Sequence, residues 1–351
     1  MHVDLKTHSL AVLRSLREIC SFDRAGRMIS FFDGEAHYWR GLSGRMVRKW
    51  TDERGHKQAV VLEPEAALGV LEWARHLLRE VPDPGPEVRT VIERALAYDP
   101  AAGQAAYHRV YGQVGILPPD QYLAVVLQVA TGCSWNRCTF CHFYRDQTYH
   151  RRTVAEFRDH VGAVRGFLGE SLLLRRSIFL GDADALAVPQ SELVEMFRIA
   201  RDGLGLADFY AFAEAVSIAR RPPGELAELA RLGFRRIYIG AESGHDALLE
   251  ALDKRSRRAD VVAAVRALHE AGLRAGLIFL AGVGDAVHVA ATLDLVAELA
   301  PALGDLVYLS RLWGAPEELA GAQLRDLQRA FAGWKQQGVK VSPYDVRQFV
   351  Y

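Results

Sequence analysis

Beyond Pro118-Pro119 the chain repeats one pattern: a short apolar run, a break, then a longer stretch whose apolar residues return at helical spacing. The runs Tyr122–Ala130, Ser177–Leu180, Phe209–Ala213, Arg236–Gly240, Arg274–Ala281 and Asp305–Leu309 read as strands. The stretches near 153–167, 190–203, 224–231, 246–252 with 259–271, and 287–300 read as helices. Strands that alternate with helices predict a parallel sheet, because each crossover helix returns the chain to the edge it left. Such a series fits either an open doubly wound sheet or an incomplete barrel. A helix near 321–337 and an extended tail from Lys340 to Tyr351 follow.

Upstream the texture differs. Between about residues 22 and 62, short apolar and polar stretches alternate around turn signals at Asp33-Gly34, Ser43-Gly44 and Arg54-Gly55, which predicts a small antiparallel meander. Leu10, Leu13, Leu16 and Ile19 have the spacing of a helix, with Cys20 in the same apolar pattern. Pro64–Glu80 and the stretches 86–98 and 101–111 read as helices, with Val81 to Pro86 as a hinge. The expected division is a small α+β extension at 1–118, an α/β core at 119–312, and a C-terminal helix with its tail at 313–351.

Composition narrows the class. Of 351 residues half are hydrophobic and a quarter charged, as in an ordinary globular protein, and 43 basic residues balance 43 acidic ones. That balance lacks the basic excess of a protein whose affinity comes from neutralising phosphates. The four cysteines are too few for a disulfide framework, and three of them lie within nine residues. The start of the chain has no signal-peptide pattern and no run is long enough to span a bilayer, so a cytoplasmic protein without a membrane partner is expected. No G-x-G-x-x-G opens a helix and no phosphate-binding G-x-x-x-x-G-K-[ST] occurs.

In either α/β architecture ligands collect where the strands end. After the first predicted strand comes Thr131-Gly132-Cys133-Ser134-Trp135-Asn136-Arg137-Cys138-Thr139-Phe140-Cys141. After the second comes Gly181-Asp182-Ala183-Asp184, after the fourth Gly240-Ala241-Glu242-Ser243-Gly244, and after the fifth Gly282-Val283-Gly284-Asp285. Cys133, Cys138 and Cys141 set three thiolates on one loop, a donor set that suits iron–sulfur clusters and zinc. No cysteine follows Cys141, and Cys20 is either a remote ligand or a small buried side chain. Zinc would need His142 or His150 as a fourth ligand. A four-iron cluster on three cysteines would instead leave one iron open to a cofactor or substrate.

Over about residues 120–312 these motifs resemble the radical S-adenosylmethionine (radical SAM) superfamily. The resemblance implies a partial (β/α)6 barrel and a four-iron, four-sulfur cluster on Cys133, Cys138 and Cys141, with Phe140 as the aromatic residue before the third cysteine. S-adenosylmethionine would chelate the open iron. Gly181 and Asp182 would meet the amino group of its methionine part. Glu242 and Ser243, followed by Leu248, Leu249, Leu252 and Lys254, match a G-x-E-S-G stretch that meets the ribose and carboxylate, and Leu280 would lie against adenine. The implied activity is reductive cleavage of S-adenosylmethionine to a 5′-deoxyadenosyl radical that takes hydrogen from a small-molecule or biosynthetic substrate. Such an enzyme is oxygen-sensitive and draws on a low-potential electron donor of flavodoxin or ferredoxin type. The cysteine spacing C-x4-C-x2-C is one residue longer than the commoner pattern.

Two other functions stay open from sequence. Modification of tRNA or another RNA rests on Lys254 to Arg258 and on Arg145, Arg151 and Arg152. A non-catalytic cluster carrier would leave the G-D and E-S-G segments without purpose. Several residues have two readings. Asp184 either lines the cavity or N-caps the helix near Pro189, and Glu214 contacts substrate or is a surface carboxylate. Arg311 pairs with a substrate carboxylate or with the rim. Lys254 to Arg258 form a solvated helix face or a docking patch. Tyr144, Tyr149 and His150 either cover the cluster or cap a helix, and Tyr344 to Tyr351 are placed to close an open barrel side.

Overall fold

In the computed structural model, which describes residues 1–351, the period-two alternation begins at His2 rather than near residue 22. The chain divides into two units. The first comprises Met1–Gln113, Gly162–Arg175 and Arg347–Tyr351, and the second Val114–Val161 and Arg176–Val346.

The first unit is built on seven antiparallel strands paired in chain order: β1 (His2–Leu5), β2 (Ser9–Ser15), β3 (Glu18–Asp23), β4 (Met28–Phe32), β5 (Ala36–Arg40), β6 (Met46–Thr51) and β7 (Lys57–Val61). Helices α1 (Pro64–Arg79), α2 (Pro86–Ala97) and α3 (Pro100–Val110) follow. The helix expected over Leu10 to Ile19 is a hairpin. Leu10, Val12, Cys20 and Phe22 point into the core while Leu16 lies 87% exposed at the turn, so the two-residue alternation outweighs the coincidental helical spacing. Ala67, Leu71, Ala74, Leu77 and Leu78 of α1 and Val91, Ile92 and Ala95 of α2 cover that sheet face. Asp33 fixes one hairpin by accepting from the Glu35 and Ala36 amides, next to Gly34 at a φ of 96°.

The second unit carries β8 (Ala124–Gln128), the short ribbon β9 (Ala130–Thr131) and β10 (His150–Arg151), then α4 (Val154–Leu168), whose second half belongs to the first unit. It continues with β11 (Ser177–Gly181), α5 (Gln190–Leu204), β12 (Phe209–Phe212), α6 (Ala215–Ala219), α7 (Pro223–Arg231), β13 (Phe234–Glu242), α8 (Asp246–Ala251) and α9 (Arg258–Glu270). β14 (Arg274–Ala281), α10 (Ala286–Glu298), β15 (Leu306–Arg311), α11 (Glu317–Ala330), α12 (Ala332–Gln336) and β16 (Lys340–Tyr344) complete it. The large sheet runs β8, β11, β12, β13, β14, β15, β16, every pair parallel. An order without reversal offers no switch point of the doubly wound kind. With right-handed crossovers it sends every helix to one face, the arrangement of a partial barrel.

A seventh strand, β16, extends the six expected. Its Pro343 sits on an edge strand, where the missing amide donor is tolerated.

Alternation along the strands separates a helix-facing row from a lumen-facing row. In β12, Phe209 and Ala211 are buried against helices, whereas Tyr210 and Phe212 keep partial exposure in mid-strand. Gly240 and Ile278, register partners on β13 and β14, do the same, so the inner face borders open space. The opposite end is closed by Asp120, whose carboxylate accepts from Tyr308 at 2.7 Å, Tyr238 at 2.5 Å and Arg236 at 3.0 Å. Access to the lumen is therefore from the C-terminal strand ends.

Candidate active site

The cysteine loop leaves β9 at Thr131 and returns at His150, its register partner, so the ribbon pins both ends. Between them the loop docks onto the segment after α8. Trp135 Nε1 donates to the Asp253 carbonyl at 2.7 Å, the Thr139 amide to the Leu252 carbonyl at 3.0 Å, and Arg137 to Asp253 Oδ2 at 3.0 Å. Arg145 ties the loop to itself through the Cys138 and Cys141 carbonyls. The turn between the first two cysteines passes through Asn136 at a φ of 45°, a conformation asparagine tolerates better than most residues.

All three cysteines are half-buried, and Cys133 Sγ accepts from the Asn136 amide at 3.3 Å. Burial pushes the Cys138 thiol up to about 12, partly offset by the Lys254 ammonium, and raises Cys141 too. No trio of His, Cys, Asp or Glu side chains is drawn tightly enough to enclose a single ion. The donor set fits an iron–sulfur cluster on its chemistry: soft ligands on one loop, an amide aimed at sulfur, and a buried cation facing the thiols.

Lys254 and Glu242 are 6% and 7% exposed, where a solvated helix face was expected for Lys254 to Arg258. Lys254 Nζ bonds Glu214 Oε1 at 2.7 Å and lies 3.8 Å from Glu242 Oε1, and Ser256 Oγ donates to Glu214 Oε2 at 2.8 Å. Glu214 is thus neither a surface carboxylate nor free. Burial works against its charge, but Lys254 and Ser256 hold it below the usual carboxylate range. Glu242 is pushed up to about 7 by burial, with Lys254 opposing. Further along the basic run, Arg257 bonds the Lys254 carbonyl and Arg258 bonds Glu298.

The two glycines of Gly240-Ala241-Glu242-Ser243-Gly244 have steric reasons. A Cβ on Gly240 would sit 2.2 Å from Glu242 Oε1, and one on Gly244 would sit 2.1 Å from the Ala291 carbonyl oxygen of α10. Gly244→Ala is expected to destabilise the protein by roughly 3 kcal/mol, because the new methyl meets backbone and has no rotamer to move. Gly162→Ala in α4, where the new methyl meets nothing, should be neutral or stabilising by about 0.5–1 kcal/mol. Denaturant midpoints of the two variants check the contrast.

Ser243 is fully buried. Its hydroxyl lies 2.7 Å from His288 Nδ1 and accepts from the His245 amide, while His288 Nε2 donates to the Leu280 carbonyl at 3.3 Å. The side chain therefore braces the strand ends of β13 and β14 with bonds internal to the fold. Leu280 is 6% exposed beside it.

At the end of β11, Asp182 is 3% exposed and accepts from Gln128 Nε2 through both oxygens and from the Gly132 amide at 3.3 Å. Burial pushes its carboxyl up to about 7. Asp184 does not cap the helix at Pro189. Its Oδ2 accepts from Ser217 Oγ at 2.6 Å, and burial raises it to about 6. Arg311 pairs with Glu317 on the rim. Among the aromatic and basic residues after the loop, Tyr144 is buried, Arg151 bonds Glu192 and His150 bonds Glu156. Gln128 and His288 escaped the sequence reading. A glutamine closing an otherwise apolar, fully buried strand was the available signal for the first.

A partial barrel with a cysteine loop and buried acidic and basic groups at its strand ends defines a class of cofactor-dependent enzyme. Residues 127–295 match the model of the radical SAM superfamily, and this segment is a radical SAM domain. Members of the superfamily are enzymes that use a four-iron, four-sulfur cluster and S-adenosylmethionine.

Among solved structures, methylornithine synthase is similar over 80% of this chain and 72% of its own, at 17% identity and a TM-score of 0.44. Coproporphyrinogen III oxidase from Escherichia coli, a radical SAM enzyme, is similar over 67% of this chain and 56% of its own, at 15% identity and a TM-score of 0.46. For a radical SAM methyltransferase from Kitasatospora setae with cobalamin and the cluster bound, the shares are 75% and 47%, at 17% identity and a TM-score of 0.41. The chain thus spans about half the length of the last two. No curated protein matches the sequence. No helix is long and apolar enough to cross a membrane.

Proposed function

We propose that this chain starts radical chemistry on a small-molecule or biosynthetic substrate, using one four-iron, four-sulfur cluster held by Cys133, Cys138 and Cys141. The reading is carried by one observation: the Cys138 thiol shares a buried neighbourhood with Lys254, Glu214 and Glu242 inside the matched segment. When bound, the cluster supplies the electron that cleaves S-adenosylmethionine reductively. The protein's part is to bind, orient and shield. Gly181 and Asp182 are assigned to the amino group of the cofactor's methionine part. Glu242 and Lys254 are assigned to its ribose and carboxylate side, Leu280 to adenine, and Phe140 to cover of the cluster. Ser243 enters as the brace of the Glu242 turn. A low-potential donor of flavodoxin or ferredoxin type would deliver the electron.

The test is anaerobic. Protein reconstituted with iron and sulfide, reduced with dithionite and given S-adenosylmethionine is expected to yield 5′-deoxyadenosine, and the reduced-cluster EPR signal is expected to shift when the cofactor is added. An intact cluster whose signal ignores S-adenosylmethionine would favour the carrier reading. The RNA reading has lost ground, because Lys254, Arg258, Arg145 and Arg151 are engaged within the fold. RNA affinity that falls steeply with salt would restore it.

A further inference from the structure

The four carboxylates around the strand ends, three buried and Glu214 partly so, are not alike. Asp182 is answered by Gln128 and Gly132, Glu214 by Lys254 and Ser256, and Glu242 faces Lys254. Asp184, 7% exposed, gives Oδ2 to Ser217, yet no donor reaches its buried Oδ1 in hydrogen-bond geometry and no cation stands within ion-pair distance. The Glu214 amide and the Arg255 guanidinium act on the carboxylate from outside that geometry, and Arg221 is tied to Gln190, Glu225 and two carbonyls. A buried acceptor left open is costly and rare, and it persists where something outside the chain supplies the donor.

Its surroundings narrow that donor. Asp184 follows β11 and is bonded to Ser217 of α6, just past the end of β12, so it lies at the C-terminal ends of these two neighbouring strands. The inner wall there is aromatic: Phe179 and Phe212 pack edge to face at 5.2 Å, and Phe212 keeps partial exposure. We infer that Asp184 anchors the substrate, and that the substrate presents an ammonium or comparable cationic N–H donor on an apolar or aromatic body. The inference rests on the radical SAM reading of this mouth and deepens it by naming the substrate class. The anchored ammonium would sit beside Ser217 with its apolar body against Phe212.

Tyramine serves as the probe, with 4-ethylphenol and 3-(4-hydroxyphenyl)propionate as neutral and anionic counterparts of the same body. Calorimetric titration of the reconstituted, S-adenosylmethionine-loaded protein is expected to give tyramine an affinity at least about tenfold above either counterpart. A tenfold change in affinity is about 1.4 kcal/mol. In Asp184→Asn, tyramine affinity should fall at least about tenfold further than S-adenosylmethionine affinity does. The thermal midpoint should hold or rise, since the amide removes a buried charge.

Equal binding of the three probes would overturn the proposal. So would equal losses for tyramine and S-adenosylmethionine, which would assign Asp184 to the cofactor. If Arg255→Ala and Asp184→Asn lower the midpoint equally and non-additively, Arg255 already answers the carboxylate and the proposal falls. The shift of the reduced-cluster EPR signal on adding S-adenosylmethionine needs no amine, so it judges the radical SAM reading separately.

Discussion

Cys138→Ala is expected to bring 5′-deoxyadenosine formation down to the level of a protein-free control and to lower the iron retained after reconstitution. A methyl cannot ligate iron, and the two remaining thiols lie on either side of the gap, so the loss is of the cluster and not only of its tuning. Cys20→Ala is the matched control. Cys20 lies in the core of the first unit, its thiol directed at the Val12 and Ala74 carbonyls and pushed up to about 12 by burial, which leaves it inert. That variant should keep both iron and activity. Iron analysis and product chromatography on the two variants in parallel decide the matter, and equal losses in both would remove the cysteine loop from the reading.

The second large effect is on stability. Lys254→Met removes the only cation within ion-pair reach of Glu214 and Glu242 and leaves two carboxylates in a site that excludes water. Breaking a buried ion pair from one side costs roughly 3–5 kcal/mol, a large share of the stability of an ordinary domain. The sign of the pH dependence follows. Without Lys254 both carboxyls are raised above their unfolded values, so the folded chain binds more protons than the unfolded one and stability falls as pH rises through that interval. The deficit relative to wild type should therefore be smaller near pH 5.5 than near pH 8. Urea titrations of the metal-free proteins at both values measure it. Lys254→Arg, which keeps the charge, should lose far less, and a pH-independent deficit would show that packing rather than charge sets the cost.

Why the strands, helices and site loops of the second unit were legible is plain from Arg274–Ala281, whose predicted bounds match the observed strand. Its residues form an apolar run, flanked by helical spacing and followed by Gly282, so local composition and tertiary role agree. The same agreement exposed the cysteine triplet, Gly181-Asp182 and the E-S-G string. Leu10 to Ile19 failed because two periods coexist there and only the pairing partner decides between them. The pairing of Glu214 with Lys254 escaped for a different reason. Glu214 looks like a polar residue after a strand and Lys254 like the start of a basic run after α8, and their contact spans forty positions of sequence. It becomes visible once β12 and β13 are known to be neighbours, because their C-terminal loops then open side by side. For Asp184 the sequence offered cavity lining or a helix N-cap, but not the open Oδ1 that sets it apart, because that depends on which donors the fold brings near.

The composition of the first unit from three separate segments bears on how the chain acquires its structure during synthesis. Tyr107 and Tyr111 pack with Phe167 and Tyr351, Asp23 and Arg27 bond Ser171, and the Ser43 amide donates to the Tyr351 carbonyl at 2.8 Å. A nascent chain that has delivered residues 1–113 therefore holds a sheet and helices whose tyrosine cluster is still missing half its members. Contacts of such long sequence separation close late, after the intervening barrel strands have been made. The earlier segment is thus among the last to be finished, since its cluster closes only when Tyr351 is in place.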